Sequence, residues 1–393
     1  MRTPVVLICG QADTADVSDV LAATPGTVVV RHRYDGQVVI RTVHSVHGIS
    51  EWPLELVKGC LTCTVRNDLL ILLRRLHARG DVGRIVVQLM PWLEPEPVCW
   101  AIDNVGVRVG PGYPDGPAGR DVQIAGVVTS VDADCWVEQA VGDQELTDGR
   151  TVAQVVVSQA AFADVVVVDQ PRPELMAILR RLAPRAHLMV QSARIESVLA
   201  AVGPHHRRGR RDEHYEPLLT GEPPLHAEDD VALVLFCARR PFHPTRLHDA
   251  LDVLLHHVVR TRGRLWLANR LDDVMWLESA GGGLHFEYAG KWLAAMGADE
   301  LDAVDLQRHA LAAADWDDEL GDRQVAMTVL TCGAPPEVIT DALRAALLTD
   351  DEMGRPAEWA DYPDPFGDWH DEPCAATPEH TGESTSTHQG DDR

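Results

Sequence analysis

Residues 1 to about 200 alternate short β-branched runs with helix-like segments, and this alternation most narrows the possible folds. Five runs are rich in Val and Ile, as strands buried on both faces of a sheet are. They are Val5–Ile8, Thr27–Val30, Arg84–Leu89, Ile124–Val131 and Asp164–Val168. A helix is predicted over Asn67–Arg79 because its leucines share one face. The pattern predicts βαβ units and a doubly wound α/β domain with a parallel sheet.

The rest of the chain divides by composition. The α/β domain is predicted over residues 1–203, with a long Pro-, Gly- and Trp-rich loop at Pro91–Asp121. A linker follows at 204–230, and then a smaller α+β domain at 231–354. Its elements are predicted as strands Val231–Ala238, Arg264–Ala268, Asp273–Ser279 and Val325–Cys332, a helix after Pro244 and a helix at Pro336–Leu347. Residues 355–393 are rich in Pro, acids, Ser, Thr and His, and we expect a disordered acidic tail there.

Charge and cysteine content exclude several classes of protein. The formal net charge of −25 disfavours a basic DNA-binding or membrane-binding face. The apolar run near the N-terminus is too short for a signal peptide, and no run approaches the roughly 20 residues that span a bilayer. The eight cysteines lack disulfide-framework spacing, so we expect a cytoplasmic protein. Cys9, Cys237 and Cys332 lie in predicted strands and are interpreted as core residues.

Only Cys60 and Cys63 are close together in sequence, and they lie just ahead of a predicted helix. The amino end of a helix stabilises a thiolate, which suits zinc binding or redox chemistry. Zinc takes four ligands, and this loop supplies two. We interpret His44 and His47 as candidate further ligands, with Glu51 and Glu55 as oxygen alternatives. A structural loop without metal is the other interpretation, and the spacing leaves both open.

The segment Gly59–Leu69, GCLTCTVRNDL, resembles the GC-x-C-C-T-[IV]-R-x-D-L signature of the CobW-type P-loop GTPases, which bind or deliver zinc and cobalt. Thr62 stands where that signature has its middle cysteine. Three later segments, Phe236–Pro244, Val259–Ala268 and Trp276–Gly283, resemble the C-terminal domain of the same family. With Asp364–Asp371, the chain is most similar to the actinobacterial branch that recruits a hibernation factor to ribosomes under zinc starvation.

The nucleotide motifs implied by the resemblance are altered. A P-loop needs two glycines, a lysine on the phosphates and a hydroxyl on Mg²⁺. The segment Gly10–Ser18 keeps Gly10 but lacks the second glycine and the lysine, and it carries two aspartates. The E-x-x-G motif falls on Gln88–Pro91, and N-K-x-D falls near Asp169–Arg172. We therefore predict a pseudo-GTPase with no catalytic residues, in which Gly10 is the remnant of the nucleotide site and GTP and Mg²⁺ are not expected.

Three functions follow from these features. The first, implied by the resemblance, is a zinc-starvation adaptor whose partners are the ribosome and a hibernation-promoting factor. The second is a GTP-binding zinc metallochaperone, which requires nucleotide binding. The third is a zinc or redox sensor acting through Cys60 and Cys63. Nucleotide binding separates the second function from the other two.

Overall fold

The N-terminal part of the chain is built on one eight-stranded sheet. The computed structural model describes residues 2–12, 14–57, 59–203 and 214–367. The sheet order is β10-β9-β8-β1-β5-β2-β3-β4, and the two outermost steps, β2 to β3 and β3 to β4, are antiparallel. Its strands are β1 (Thr3–Gly10), β2 (Thr27–Tyr34), β3 (Val39–Ser45), β4 (Gly48–Leu54), β5 (Arg84–Gln88), β8 (Val122–Val131), β9 (Val165–Val168) and β10 (His187–Val190).

Helices cover both faces of this sheet, as the uninterrupted apolar strands require. Val5 and Leu7 of β1 pack on one face, while Val6 and Ile8 pack on the other. All four side chains are at most 1% exposed. The helices are α1 (Ala15–Ala22), α2 (Leu61–His77), α3 (Pro95–Asn104), α4 (Trp136–Val141), α5 (Val152–Ala161), α6 (Pro173–Leu182) and α7 (Ile195–Ala201). The predicted doubly wound α/β architecture is confirmed, with a mixed rather than fully parallel sheet.

Two local predictions were wrong. The helix expected at Asn67–Arg79 begins six residues earlier, at Leu61, because Cys60 caps its first turn. The predicted long loop at Pro91–Asp121 contains α3, a two-stranded ribbon and a 3₁₀ turn at Ala118–Arg120. The ribbon strands are β6 (Gly106–Val107) and β7 (Gly116–Pro117). Helix α3 buries its apolar face against the sheet, which the Pro-rich composition of the segment had concealed.

The C-terminal part forms a five-stranded antiparallel sheet of order β11-β15-β12-β13-β14. Its strands are β11 (Val231–Ala238), β12 (Val258–Leu267), β13 (Arg270–Ala280), β14 (Gly283–Lys291) and β15 (Val325–Cys332). Its helices are α8 (Pro244–Leu255), α9 (Ala298–Asp302), α10 (Leu306–Ala314), α11 (Pro336–Ala346) and α12 (Asp350–Met353), with 3₁₀ turns at Leu293–Ala295 and Pro356–Asp361. The predicted α+β pattern is confirmed, and β11 and β15 have the predicted bounds.

The two sheets share a core where they meet. Val231, Leu330 and Cys332 pack against the valines and helices around β9. The Cys332 thiol donates a hydrogen bond to Glu174 Oε1 at 3.1 Å across this contact. Gly281, at φ +49°, lies so close that a Cβ there would approach the carbonyl oxygen of Gly142 to 2.3 Å. The two parts are therefore packed directly on each other.

The start of the predicted disordered tail is packed on the C-terminal sheet. Trp359 is 6% exposed and Phe366 is 4% exposed. The Phe366 ring stacks on Phe286 with centroids 4.3 Å apart. Residues 355–367 are thus ordered, contrary to the prediction, and residues 368–393 lie outside the described part of the chain. Among the described residues, no helix has the length and apolar character needed to cross a bilayer.

Part of the predicted linker is also attached to its surroundings. Residues 204–213 lie outside the described ranges. From there, His214 Nε2 lies 2.6 Å from Glu287 Oε1, and the Tyr215 hydroxyl donates to Ala289 O at 2.9 Å. Arg181 of α6 donates to Glu228 Oε1 at 3.2 Å. Residues 214–230 therefore bridge both parts of the molecule.

Candidate functional site

The thiol pair forms the amino end of α2. Cys60 is the N-cap residue, with extended backbone angles of φ −93° and ψ 113°. Its Sγ accepts a hydrogen bond from the backbone N–H of Cys63 at 3.1 Å. The first turn contains no acidic residue, so nothing in that turn opposes negative charge on the sulfur. Both cysteines are half-buried and neither is in a disulfide.

The loop that carries Cys60 is held by hydrogen bonds among Val57, Cys60 and Thr64. The Thr64 hydroxyl donates to Cys60 O at 2.8 Å and accepts from the N–H of Val57, also at 2.8 Å. The Cys60 N–H donates to Val57 O at 2.9 Å. Gly59 has φ +74°, a conformation in which side chains are strained. Thr62, at the position of the signature's middle cysteine, is exposed. The two sulfurs are therefore presented from a fixed turn.

The structure does not bring His44 and His47 to the thiols. His44 lies near the turn between β3 and β4, and His47 lies in that turn. His47 Nε2 is 3.0 Å from Asp81 Oδ2, just beyond the carboxyl end of α2. That helix has 17 residues. At 1.5 Å per residue it is about 25 Å long, and it separates the histidines from the cysteines at its other end. Across the described ranges, no three His, Cys, Asp or Glu side chains form a metal-binding group.

A charged network behind the thiol loop was missed by the sequence interpretation. Asp68, in the second turn of α2, accepts from Arg41 Nη1 at 2.6 Å and lies 2.9 Å from His32 Nε2. The three side chains are 13%, 13% and 2% exposed, respectively. The network ties α2 to β2 and β3. The available signal was Asp68 itself, the aspartate of the signature segment.

The loop between β1 and α1 lacks the groups that hold a nucleotide. Ala15, Asp16 and Val17 stand where a P-loop has its second glycine, lysine and hydroxyl residue. Asp16 is exposed in the first turn of α1. Gly10 has a packing role instead, because a Cβ there would lie 2.0 Å from Ser130 O on the neighbouring strand β8. Keeping Gly10 is therefore explained without a phosphate.

Three glutamines take part in hydrogen bonds around the β1–α1 loop and the loop that follows β5. Gln11 donates to Pro91 O at 2.6 Å, and Gln159 donates to the same oxygen at 2.7 Å. Gln159 is 1% exposed. Gln88, at the E-x-x-G position, donates to the Thr14 hydroxyl. Mg²⁺ is usually bound through carboxylates, and Gln88 has none at this position.

The third nucleotide motif is used for backbone hydrogen bonds. Asp169 Oδ1 accepts from the N–H groups of Ala133 at 2.9 Å and Gln170 at 2.8 Å. Arg172, where N-K-x-D has its aspartate, pairs with Asp134. A guanidinium at that position does not offer the carboxylate that reads guanine.

The other cysteines have different environments. Burial raises the pKa of Cys9 and of Cys332 to about 12. Both are core residues, as predicted, and a thiol with such a pKa remains protonated at neutral pH. Cys237 is exposed, so its interpretation as a core residue was wrong. Its side chain lies on the face of β11 that points away from the hydrophobic core.

Comparisons with known proteins match both parts of the chain. Residues 30–172 match the CobW/HypB/UreG nucleotide-binding domain, and residues 231–347 match the cobalamin synthesis protein cobW C-terminal domain. The first match begins after the β1–α1 loop. The chain is 57% identical to a zinc chaperone from Mycobacterium tuberculosis over 398 aligned positions, covering 100% of both chains.

Two further matches have lower identity and cover most of this chain. A zinc-regulated GTPase metalloprotein activator from Dictyostelium discoideum is 22% identical over 76% of this chain and 67% of its own. The Zn(II)-bound YjiA GTPase from E. coli aligns with 88% of this chain and 99% of its own, at 13% identity and a TM-score of 0.37. The two matched domains and the full-length identity to the mycobacterial protein establish that this chain belongs to the CobW family.

Proposed function

We propose that this protein is a zinc chaperone that carries the ion on Cys60 and Cys63. The observation that carries the proposal is the Cys60 sulfur, which caps α2 and accepts the Cys63 N–H at 3.1 Å. Thiolates are preferred zinc ligands, and the amino end of a helix stabilises them. The named function of the mycobacterial relative, a zinc chaperone, supports the same assignment.

A two-thiolate site suits a carrier better than a structural zinc site. Structural zinc is held by four protein ligands, which close the coordination sphere. Here the loop offers two, and the remaining positions are open to water or to ligands from a partner. Zinc held in this way is accessible to a protein with a more complete ligand set. The ion is therefore cargo in this proposal, passed between proteins.

We further propose that the protein does not hydrolyse GTP efficiently. Asp16 replaces the lysine that neutralises the phosphates, and like charges there repel a triphosphate. Gln88 replaces the carboxylate of the Walker B-like motif. Nucleotide turnover is therefore not part of zinc delivery by this chain.

Titration calorimetry tests both statements on purified, metal-free protein. Zn²⁺ is expected to bind with a heat that disappears in the Cys60→Ser/Cys63→Ser variant. Mg²⁺-GTP is expected to bind only weakly and to release no phosphate. Equal zinc affinity in the variant would overturn the thiol site. Tight GTP binding with turnover would overturn the non-hydrolytic part and restore a GTPase mechanism.

We also propose the adaptor role as a second function compatible with the first. The altered nucleotide loops favour it, because docking a hibernation factor onto a ribosome needs no hydrolysis. Co-sedimentation of the protein with ribosomes, with and without a hibernation-promoting factor, tests it. Ribosome-bound factor must increase when this protein is added. An unchanged amount would reject the adaptor role and leave the zinc proposal standing.

A further inference from the structure

Strand β4 is largely exposed, apart from its pairing with β3 and the packing of Leu54 at its end. It is the last strand in the sheet order, and no strand within the described ranges pairs with its outer side. Five of its seven residues are exposed, and the other two are half-buried. Ile49 is 66% exposed and Trp52 is 46% exposed. An unpaired edge strand with exposed apolar side chains can pair with another chain, and the only protective residues on β4 are Glu51 and Pro53.

The register identifies which backbone groups point outward. Ile40 on β3 lies opposite Pro53, which has no N–H to donate. Peptide groups alternate between the two sides of an antiparallel strand. Ser50 and Trp52 therefore bond to β3, while the N–H and C=O groups of Ile49 and Glu51 face away from the sheet. This is the hydrogen-bonding pattern that an added strand completes.

Side-chain contacts through Arg41 join the edge strand β4 to helix α2. Arg41 lies over the Trp52 ring, with its guanidinium carbon 4.9 Å from the centroid. The same Arg41 donates to Asp68 of α2 at 2.6 Å. In sequence, Cys60 follows the end of β4, Leu54, by six residues. Six extended residues span at most about 20 Å, so Cys60 lies within about that distance of the Leu54 end of β4.

We propose that β4 is a docking edge that binds an extended, basic segment of a partner protein by strand addition. The outward backbone groups specify an extended chain. Glu51 on the strand and Glu55 just beyond it favour a partner with Lys or Arg. A second copy of this chain is disfavoured, because each copy carries a formal charge of −25. The role of that partner as a zinc donor or acceptor rests on the zinc function proposed above, whereas the docking does not.

A matched pair of substitutions tests the docking edge on the full chain. Glu51→Pro removes the outward N–H, and Pro53 already occupies an equivalent outward position. Glu51→Thr removes the same charge and keeps the N–H. The probe is a labelled, capped heptapeptide of alternating lysine and valine, followed by fluorescence anisotropy. We expect Glu51→Pro to bind the peptide at least fivefold more weakly than Glu51→Thr.

Hydrogen exchange supplies the second readout. The Ile49 and Glu51 amides are expected to exchange fast in the free protein and to slow when the peptide binds. Equal peptide affinity of the two variants, or unprotected amides in the complex, would overturn strand addition. Sedimentation of the protein alone checks self-association, and a dimer dispersed by Glu51→Pro would replace the partner with a second copy.

A reciprocal test with the two variants distinguishes zinc binding from peptide docking. The Cys60→Ser/Cys63→Ser protein is expected to bind the peptide normally, and Glu51→Pro is expected to bind zinc normally. Peptide binding that is lost in the double cysteine variant would overturn an independent docking edge. Failure of zinc binding in the unaltered protein would reject the chaperone proposal without touching the strand-addition result.

Discussion

The thiol loop before α2 and the loop between β1 and α1 lie at the same edge of one sheet, yet they have opposite chemistry. Both end at the amino end of a helix, where negative ligands are stabilised. In the thiol loop the Cys60 sulfur occupies that position and accepts the Cys63 N–H. In the other loop an exposed Asp16 sits in the first helical turn, and Gln11 bonds to the adjacent loop.

This difference shows that the amino end of a helix does not by itself define a binding site. One helix start offers soft, ionisable donors to a cation. The other has a carboxylate of its own, which competes with a phosphate for the same partial positive charge. The proposed zinc site and the altered P-loop position lie in different loops of this chain, and substitutions in each loop test whether the two functions are separable.

Removal of both thiols has the largest expected effect. We expect Cys60→Ser/Cys63→Ser to weaken zinc binding by about 1,000-fold or more, about 4 kcal/mol. Serine is a good N-cap residue, so α2 remains capped and the fold is retained. Titration against a chromophoric zinc chelator measures the affinity, and circular dichroism controls for folding. Unchanged zinc affinity would place the metal elsewhere.

Loss of Asp68 tests whether the thiol loop is held by its charged network. Asp68→Ala leaves Arg41 and His32 without their shared carboxylate, at a cost of about 3 kcal/mol in unfolding free energy. Asp81 is the matched control, because it also pairs with one arginine and one histidine, but at the surface. Asp81→Ala is expected to cost less than about 1 kcal/mol in urea unfolding. Equal costs would contradict the structural role of the network.

Restoring the third cysteine of the signature tests whether the thiol loop can bind zinc more tightly. Thr62→Cys adds a third thiolate at an exposed position in the same turn. Zinc affinity is expected to rise by about tenfold to a hundredfold, since each thiolate replaces a water ligand. Chelator competition gives the affinity, and Thr62→Ser serves as the control. No gain would show that the turn cannot converge three sulfurs on one ion.

Restoring the P-loop residues tests the other loop and has the smallest expected effect. The triple change Ala15→Gly/Asp16→Lys/Val17→Thr is expected to tighten Mg²⁺-GTP binding by about tenfold, about 1.4 kcal/mol. Asp19→Lys makes the same charge change on an exposed position of the same helix. The gain must exceed that of the control in calorimetry. An equal gain in Mg²⁺-GTP affinity in both variants would show that the change in net charge alone causes it.

Much of the fold was predictable because its strands are buried on both faces. Runs such as Val5–Ile8 and Asp164–Val168 contain little besides apolar residues, and the structure buries them in the sheet. The hairpin β3–β4 was not predicted, because it mixes His, Arg, Glu and Pro with apolar residues and its outer strand β4 lies largely in solvent. The packing of Trp359 and Phe366 was missed for a related reason, since single aromatics in an acidic segment give no periodic signal.

The sequence by itself determined the chemistry that is local to the chain. The spacing of Cys60 and Cys63, the missing P-loop lysine and the CobW signature are covalent facts, and the helix beginning beside the thiols follows from short-range hydrogen bonds.

Only the tertiary structure decided which distant residues meet. It placed His44 and His47 at the far end of α2, joined Asp68 to His32 and Arg41, and left the outer edge of β4 unpaired among the described residues. These outcomes depend on strand order and helix length, because pairing between remote segments is set by how the whole sheet buries its apolar faces.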